Sequence, residues 1–207
     1  KRREKLIQHL NKNELVMIFA NDPITGSGTG AIRFLQSSHF YYFTGLNIPS
    51  AVLVMGYVNE DPLDCIFVER NIPERIVWDG EKMYPEEVTA ISGVKKVLFL
   101  DNFESTIAGY LYSTEKAFIN IGLQEMNKPL SKTLHFVKKV RETLPHVCFK
   151  DVDNLIKPLR QIKDDFEVEA ITKSIEITWA GIKSIWMNAR AGMMEYELEA
   201  MLFYRMQ

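Results

Sequence analysis

The stretch Leu35–Met55, LQSSHFYYFTGLNIPSAVLVM, constrains the fold of this chain more than any other part of it. Phe40–Thr44 is a run of aromatic and β-branched residues, a composition that suits a pleated, half-buried surface, so it reads as a strand. Gly45 ends the run, Asn47 and Pro49 supply turn chemistry, and Ala51–Met55 is a second short apolar run. Two strands joined by a turn are expected here.

The flanking sequence interposes helices between further strands. Arg3–Leu10 reads as a short helix and Leu15–Ala20, LVMIFA, as a buried strand. Cys65–Glu69, Lys96–Leu100, Ala117–Ile121 and Val147–Phe149 read as more strands. Helical stretches fall at Pro85–Ile91, Phe103–Tyr112 and Leu130–Leu144. In the last, Leu130, Leu134, Val137, Val140 and Leu144 recur at three- or four-residue intervals and build one apolar stripe. Adjacent strands followed by alternating strands and helices predict an α/β fold, a mixed sheet flanked by helices.

The pattern changes after Pro158. Asp164 has the place of an N-cap, with Glu167 three positions on as in a capping box. Val168, Ile171, Ile175, Trp179, Ile182, Ile185 and Trp186 then follow at helical steps, predicting an amphipathic helix of about 25 residues. Gly192 is expected to stop it, and a second helix to begin near Glu195. The apolar face must be buried against something, and the residues that remain are too few to cover it. The chain is expected to be a truncated piece of a longer protein.

Composition narrows the classes of function. A chain of 207 residues buries roughly 70% of its unfolded surface and needs no disulfide staples. A net charge of −2 argues against nucleic-acid binding, which wants a concentrated basic face. Lys1-Arg2-Arg3 is followed at once by Glu4 and reads as the start of a solvated helix. Cys65 and Cys148 show neither zinc spacing nor a CxxC pair and are expected as buried, reduced thiols. No apolar segment approaches the roughly 20 residues that span a bilayer. The charged N-terminus lacks a signal-peptide core, so the cytoplasm is the expected compartment.

The search for reactive groups returns little. Gly26, Gly28 and Gly30 alternate within Asn21–Gly30, but the P-loop ending and the GxGxxG spacing are both missing. His9, His39, His135 and His146 are scattered without paired spacing. Ser37-Ser38 lacks the nucleophile elbow of a hydrolase. Asp153 and Asp164 have ten residues between them, but Asp164 fits a helix cap and no histidine follows either. No residue is nominated as catalytic or as a metal ligand.

A resemblance supplies what these patterns do not. Gln36, Ser38, Phe40, Tyr42, Thr44, Gly45, Pro49 and Ala51–Val54 resemble the signature of the N-terminal domain of the Xaa-Pro aminopeptidases, the aminopeptidase P family. Leu35 and His39 depart from it, standing where the family usually has arginine and aspartate. Glu69-Arg70 followed by Trp78-Asp79-Gly80 is similar to the family's acidic-basic pair and Trp-x-Gly turn. Arg160, Lys163, Glu167 and Ile171 resemble the approach to its catalytic domain. Arg190-Ala191-Gly192-Met193 with Glu195 and Leu198 looks like a later link, with Ala191 replacing proline. Any one segment is weak, whereas the set in order is specific.

The resemblance implies that residues 1–158 form a creatinase-type, ribonuclease H-like N-terminal domain. It implies that residues 159–207 begin a truncated pita-bread domain. The intact protein would be a hydrolase that releases an N-terminal residue preceding proline and carries two divalent metal ions, with manganese the expected metal. The ligands, two aspartates, a histidine and two glutamates, would lie downstream, leaving this chain alone inactive. Trp78 is the one implied substrate-contact residue, with Arg70 orienting its loop, and a homo-oligomer is the implied assembly. An Xaa-Pro dipeptidase and a non-catalytic, peptidase-like binding module remain as alternatives.

Overall fold

The computed structural model describes residues 1–23 and 34–206; Gly26, Gly28 and Gly30 lie outside the described residues. The chain divides into two compact units, Lys1–Pro158 and Leu159–Gln207.

The first unit is built on a six-stranded mixed sheet. Its strands are β1 (Glu14–Phe19), β2 (Val52–Val58), β3 (Asp61–Val68), β4 (Lys96–Phe99), β5 (Lys116–Ile119) and β6 (Cys148–Asp151). Their spatial order is β4-β3-β2-β1-β5-β6. β1–β2 and β2–β3 pair antiparallel, and the other three pairings are parallel. The apolar run of β1 is explained by burial on both faces, every residue of the strand being inside. Leu15, Met17 and Phe19 meet α5 (Phe103–Tyr112) and α6 (Lys132–Thr143) through Phe103, Ile107, Leu111, Val137 and Val140. The alternate residues Val16 and Ile18 point to the opposite face, where α1 (Arg2–Ile7), α2 (Ser38–Thr44) and α4 (Pro85–Ser92) bury Leu6, Phe40, Phe43 and Val88.

Phe40–Thr44 is not a strand. It forms most of α2, and local chemistry overrides its β propensity. Ser37 Oγ accepts from the Phe40 N–H at 3.5 Å, capping the start. Gly45 ends the helix at φ 69°, its N–H reaching the Tyr41 carbonyl at 2.7 Å. Phe40, Phe43 and Thr44 are buried at helical spacing while Tyr41 is exposed, so the aromatic run is a helix with one wet side. The segment is therefore a helix, a turn and a strand.

The N-terminal basic residues are not simply solvated. Arg3 Nη1 donates to the carbonyls of Phe43 at 2.8 Å and Ser92 at 2.7 Å, the last turns of α2 and α4. Its Nε donates to the Asp64 carboxylate of β3 at 3.3 Å. A cation is favoured at helix C-termini, so Arg3 ties three elements together. Arg2 bonds the Tyr42 carbonyl at 3.2 Å and lies over the Tyr42 ring.

Two helices were absent from the sequence reading: α3 (Pro73–Asp79) and α7 (Asp153–Gln161), the latter with Pro158 inside it. Cys65 is buried, and burial pushes its thiol up to about 12. Cys148 is exposed. It opens the edge strand β6, and the inward position there is taken by Phe149.

The second unit is a helical hairpin of α8 (Asp165–Asn188) and α9 (Glu195–Met206). The expected capping box is formed: the Glu167 N–H reaches Asp164 Oδ1 at 2.8 Å and the Asp164 N–H reaches Glu167 Oε2 at 3.0 Å. Gly192 does not cap α8, which stops at Asn188 with Ala189 in extended backbone. Gly192 lies in the following turn at φ 92°. The two helices meet at Gly181, where an added Cβ would lie 2.6 Å from Leu202 Cδ1. Gly181 is the one buried residue of α8, and α9 has none. Trp179 and Trp186 pack edge to face, centroids 5.3 Å apart, and both are exposed.

Candidate functional site

The segment from the end of β3 to the start of α4 has the geometry of a presented site. Pro73 opens α3 at a position where its missing N–H costs nothing. The helix closes on Gly80, φ 77°, whose N–H meets the Ile76 carbonyl at 3.0 Å. No residue of α3 is buried, and Trp78 in its last turn is 87% exposed, beside an exposed Val77. A tryptophan normally hides most of its surface. Here the indole stands in solvent on a short helix.

The ends of that helix are braced. Asn71 Nδ2 donates to the Lys82 carbonyl at 2.7 Å, and the Lys82 N–H donates to Asn71 Oδ1 at 2.8 Å. The Lys82 ammonium meets Glu69 Oε2 at 2.5 Å. Arg70 pairs with Asp101 at 2.9 Å and lies over the Phe99 ring at 4.1 Å. Arg70 thus leans back on β4 rather than toward Trp78, and the loop is oriented by Asn71, Lys82 and Glu69. Sequence reasoning missed this brace because Asn71 and Lys82 form no motif. Behind it lies a cleft of about 340 Å³ lined by Ile48, Pro49, Val68, Glu69, Asp79 and Met83 among others.

The other candidates resolve into structure. Asp153 receives His39 Nε2 at 2.8 Å and Lys157 at 3.3 Å. Burial pushes the Asp153 carboxyl up, but the His39 and Lys157 hydrogen bonds outweigh it and hold it below the usual carboxylate range. His39, one of the two departures, thus makes a hydrogen bond to the first turn of α7. His9 and His135 are exposed, and His146 Nε2 lies 3.2 Å from the Leu111 carbonyl. Ser37 caps α2, and Asp164 caps α8. Among the described residues no three His, Cys, Asp or Glu side chains converge on a point that would hold a metal ion. No helix among them is long and apolar enough to cross a membrane. What the arrangement offers is an exposed aromatic face on a helix braced at its ends.

Comparison with known proteins gives the chain its relatives. The family described as "Aminopeptidase P, N-terminal domain" matches residues 1–119. Xaa-Pro aminopeptidase 3 of Dictyostelium discoideum is 30% identical over 178 residues, 85% of this chain and 33% of the relative. A Bacillus anthracis structure assigned as an aminopeptidase P superposes with TM-score 0.88 at 32% identity, covering 99% of this chain and 49% of that one. The low-pH form of aminopeptidase P from Escherichia coli superposes with TM-score 0.84 at 21% identity, over 99% of this chain and 47% of the other. At that identity the likeness shows the shared fold. The Escherichia coli enzyme has also been solved zinc-substituted with product and with the inhibitor Pro-Leu. The chain spans between a third and a half of the length of these relatives.

Proposed function

We propose, from the premise that this chain belongs to the aminopeptidase P N-terminal domain family, that it forms the substrate-entrance and oligomerisation part of a metal-dependent Xaa-Pro aminopeptidase. Residues 1–158 serve as the N-terminal domain and residues 159–207 as the beginning of the pita-bread catalytic domain. The intact enzyme hydrolyses the bond between an N-terminal residue and a following proline. Two divalent metal ions, manganese by family resemblance, supply the hydrolytic chemistry when bound. The described residues of this chain do not fit that pair, since they bring no ligand set together. Its own contribution is to shape access.

The observation that carries the reading is Trp78, 87% exposed on a braced helix with no buried residue. An indole offers a large rigid apolar face against which a proline ring can pack. In a homo-oligomer that face lines the entrance of a neighbouring subunit's active site. The test uses the protein carrying this chain together with the remaining length of its relatives. Trp78→Ala is expected to raise KM for an X-Pro peptide by about tenfold, the usual cost of losing a buried aromatic contact. Unchanged kinetics would remove Trp78 from the substrate path. Absence of X-Pro cleavage with manganese present would favour the non-catalytic binding module, and release of proline only from X-Pro dipeptides would favour the dipeptidase.

A further inference from the structure

Resting on the substrate-entrance reading of Trp78 and extending it along the peptide, we infer that the cleft beside α3 binds a long basic side chain, lysine or arginine, on a substrate residue that follows the proline. The cleft, about 340 Å³, is walled by three separate stretches of chain: the turn before β2, the end of β3, and residues 79–83 at the close of α3. It begins one residue from the exposed indole, since Asp79 follows Trp78 in the last turn of the helix. Its walls are held before any ligand arrives. Gln36 Nε2 donates to the Ile48 carbonyl at 2.6 Å, and Asn71 fixes Lys82 through two hydrogen bonds. A site ordered in advance loses less freedom on binding.

The lining has two chemical parts. Ile48, Pro49, Val68 and Met83 present apolar surface, while Glu69, Asp79 and Glu81 set three carboxylates against the ammonium of Lys82. That ammonium is committed to Glu69 at 2.5 Å. Asp79 and Glu81 keep most of their charge. Arg75 stands 3.7 Å from Asp79, beyond hydrogen-bond reach, and Glu81 receives the neutral Tyr84 hydroxyl at 2.5 Å. Apolar surface beside carboxylates in excess matches a lysine or arginine, whose methylene stem packs on carbon while its head seeks an anion. A glutamate in the same place would meet like charge, and a short aliphatic side chain would leave the carboxylates unanswered.

The experiment uses the protein carrying this chain together with the remaining length of its relatives, and X-Pro peptides with lysine or glutamate at each of the first three positions after proline. At one of those positions lysine is expected to lower KM about fivefold relative to glutamate, the scale of one partly exposed ion pair. Added salt is expected to erode the difference. Glu81→Lys is expected to turn the preference toward glutamate, and Asp79→Asn combined with Glu81→Gln to abolish it, with thermal melts confirming that each variant is folded. Equal KM at every position, or a preference that the variants leave in place, overturns the cleft while the entrance reading stands. Absence of X-Pro cleavage with manganese present overturns the entrance reading and this inference with it.

Discussion

The two units use the same raw material, amphipathic helices, to opposite ends. In the first, α5 and α6 close over Leu15, Met17 and Phe19, so Phe103, Ile107, Leu111, Val137 and Val140 vanish into a continuous core. In the second, α8 carries an equally regular stripe, yet Ile171, Ile175, Trp179 and Trp186 remain exposed and only Gly181 is buried. The groove along that stripe, from Ala170 to Ile182, is apolar. Periodicity therefore says that a helix has a face to hide, but not whether the same chain hides it. What differs is the presence of a sheet, whose two flat faces give several helices a common surface to bury against.

Three measurements can break or sharpen that contrast. The largest effect is expected at Gly56 in β2, which holds φ 138° and would place an added Cβ 2.3 Å from the Glu14 carbonyl oxygen. Gly56→Ala is expected to cost roughly 3 kcal/mol or more in urea unfolding, because backbone on both strands must move. An unchanged midpoint would mean the sheet yields more easily than its close packing implies.

Next is Glu14, buried at the start of β1 and bonded to the Lys116 ammonium of β5 and to the Asn11 N–H at 2.9 Å. Burial pushes its carboxyl up, and the Asn11 and Lys116 hydrogen bonds prevail, leaving it below the usual range. A carboxyl lowered on folding contributes stability above its unfolded value, lost as pH falls through the folded one. Glu14→Gln is expected to cost about 2 kcal/mol at neutral pH. The difference from the parent should shrink on acidification below about pH 4. A pH-independent difference would remove the ion pair from the account.

The smallest effect belongs to the second unit. Asp164→Ala removes the α8 cap at a cost of about 1 kcal/mol. It is expected to lower far-UV helical signal at elevated temperature and to leave the sheet's transition in place. If the sheet's transition moved with it, the two units would be melting as one.

Much of this was legible beforehand. The strands were found wherever the apolar run was bounded by turn residues, as at Leu15–Ala20 and Cys65–Glu69. The α8 start was legible because a capping box is a local pattern. Phe40–Thr44 misled because β-branched and aromatic composition describes side chains, whereas Ser37 and Gly45 decided the backbone. α3 was hidden because it buries nothing, so it has no apolar period to display. The Asn71–Lys82 brace and the His39–Asp153 pair unite residues distant in sequence, and no spacing rule reports such a meeting. Trp78 was singled out by resemblance alone, and its exposure is something only the structure could supply.

The strand order carries a consequence for how the chain is made. β2 and β3 are neighbours in sequence, with Val58 paired to Asp61 across a turn at Asn59 and Glu60, both at positive φ. That hairpin closes from local contacts. β1, by contrast, lies between β2 and β5, and Glu14 pairs with Lys116. During synthesis, the fourth element of the sheet to emerge is β4 and the fifth is β5, so the strand born first waits with one edge open until residues 116–119 have left the ribosome. Of the edges that the finished sheet covers, this one stays bare over the longest stretch of synthesis, and a nascent chain stalled before β5 is open to pairing there with a stranger.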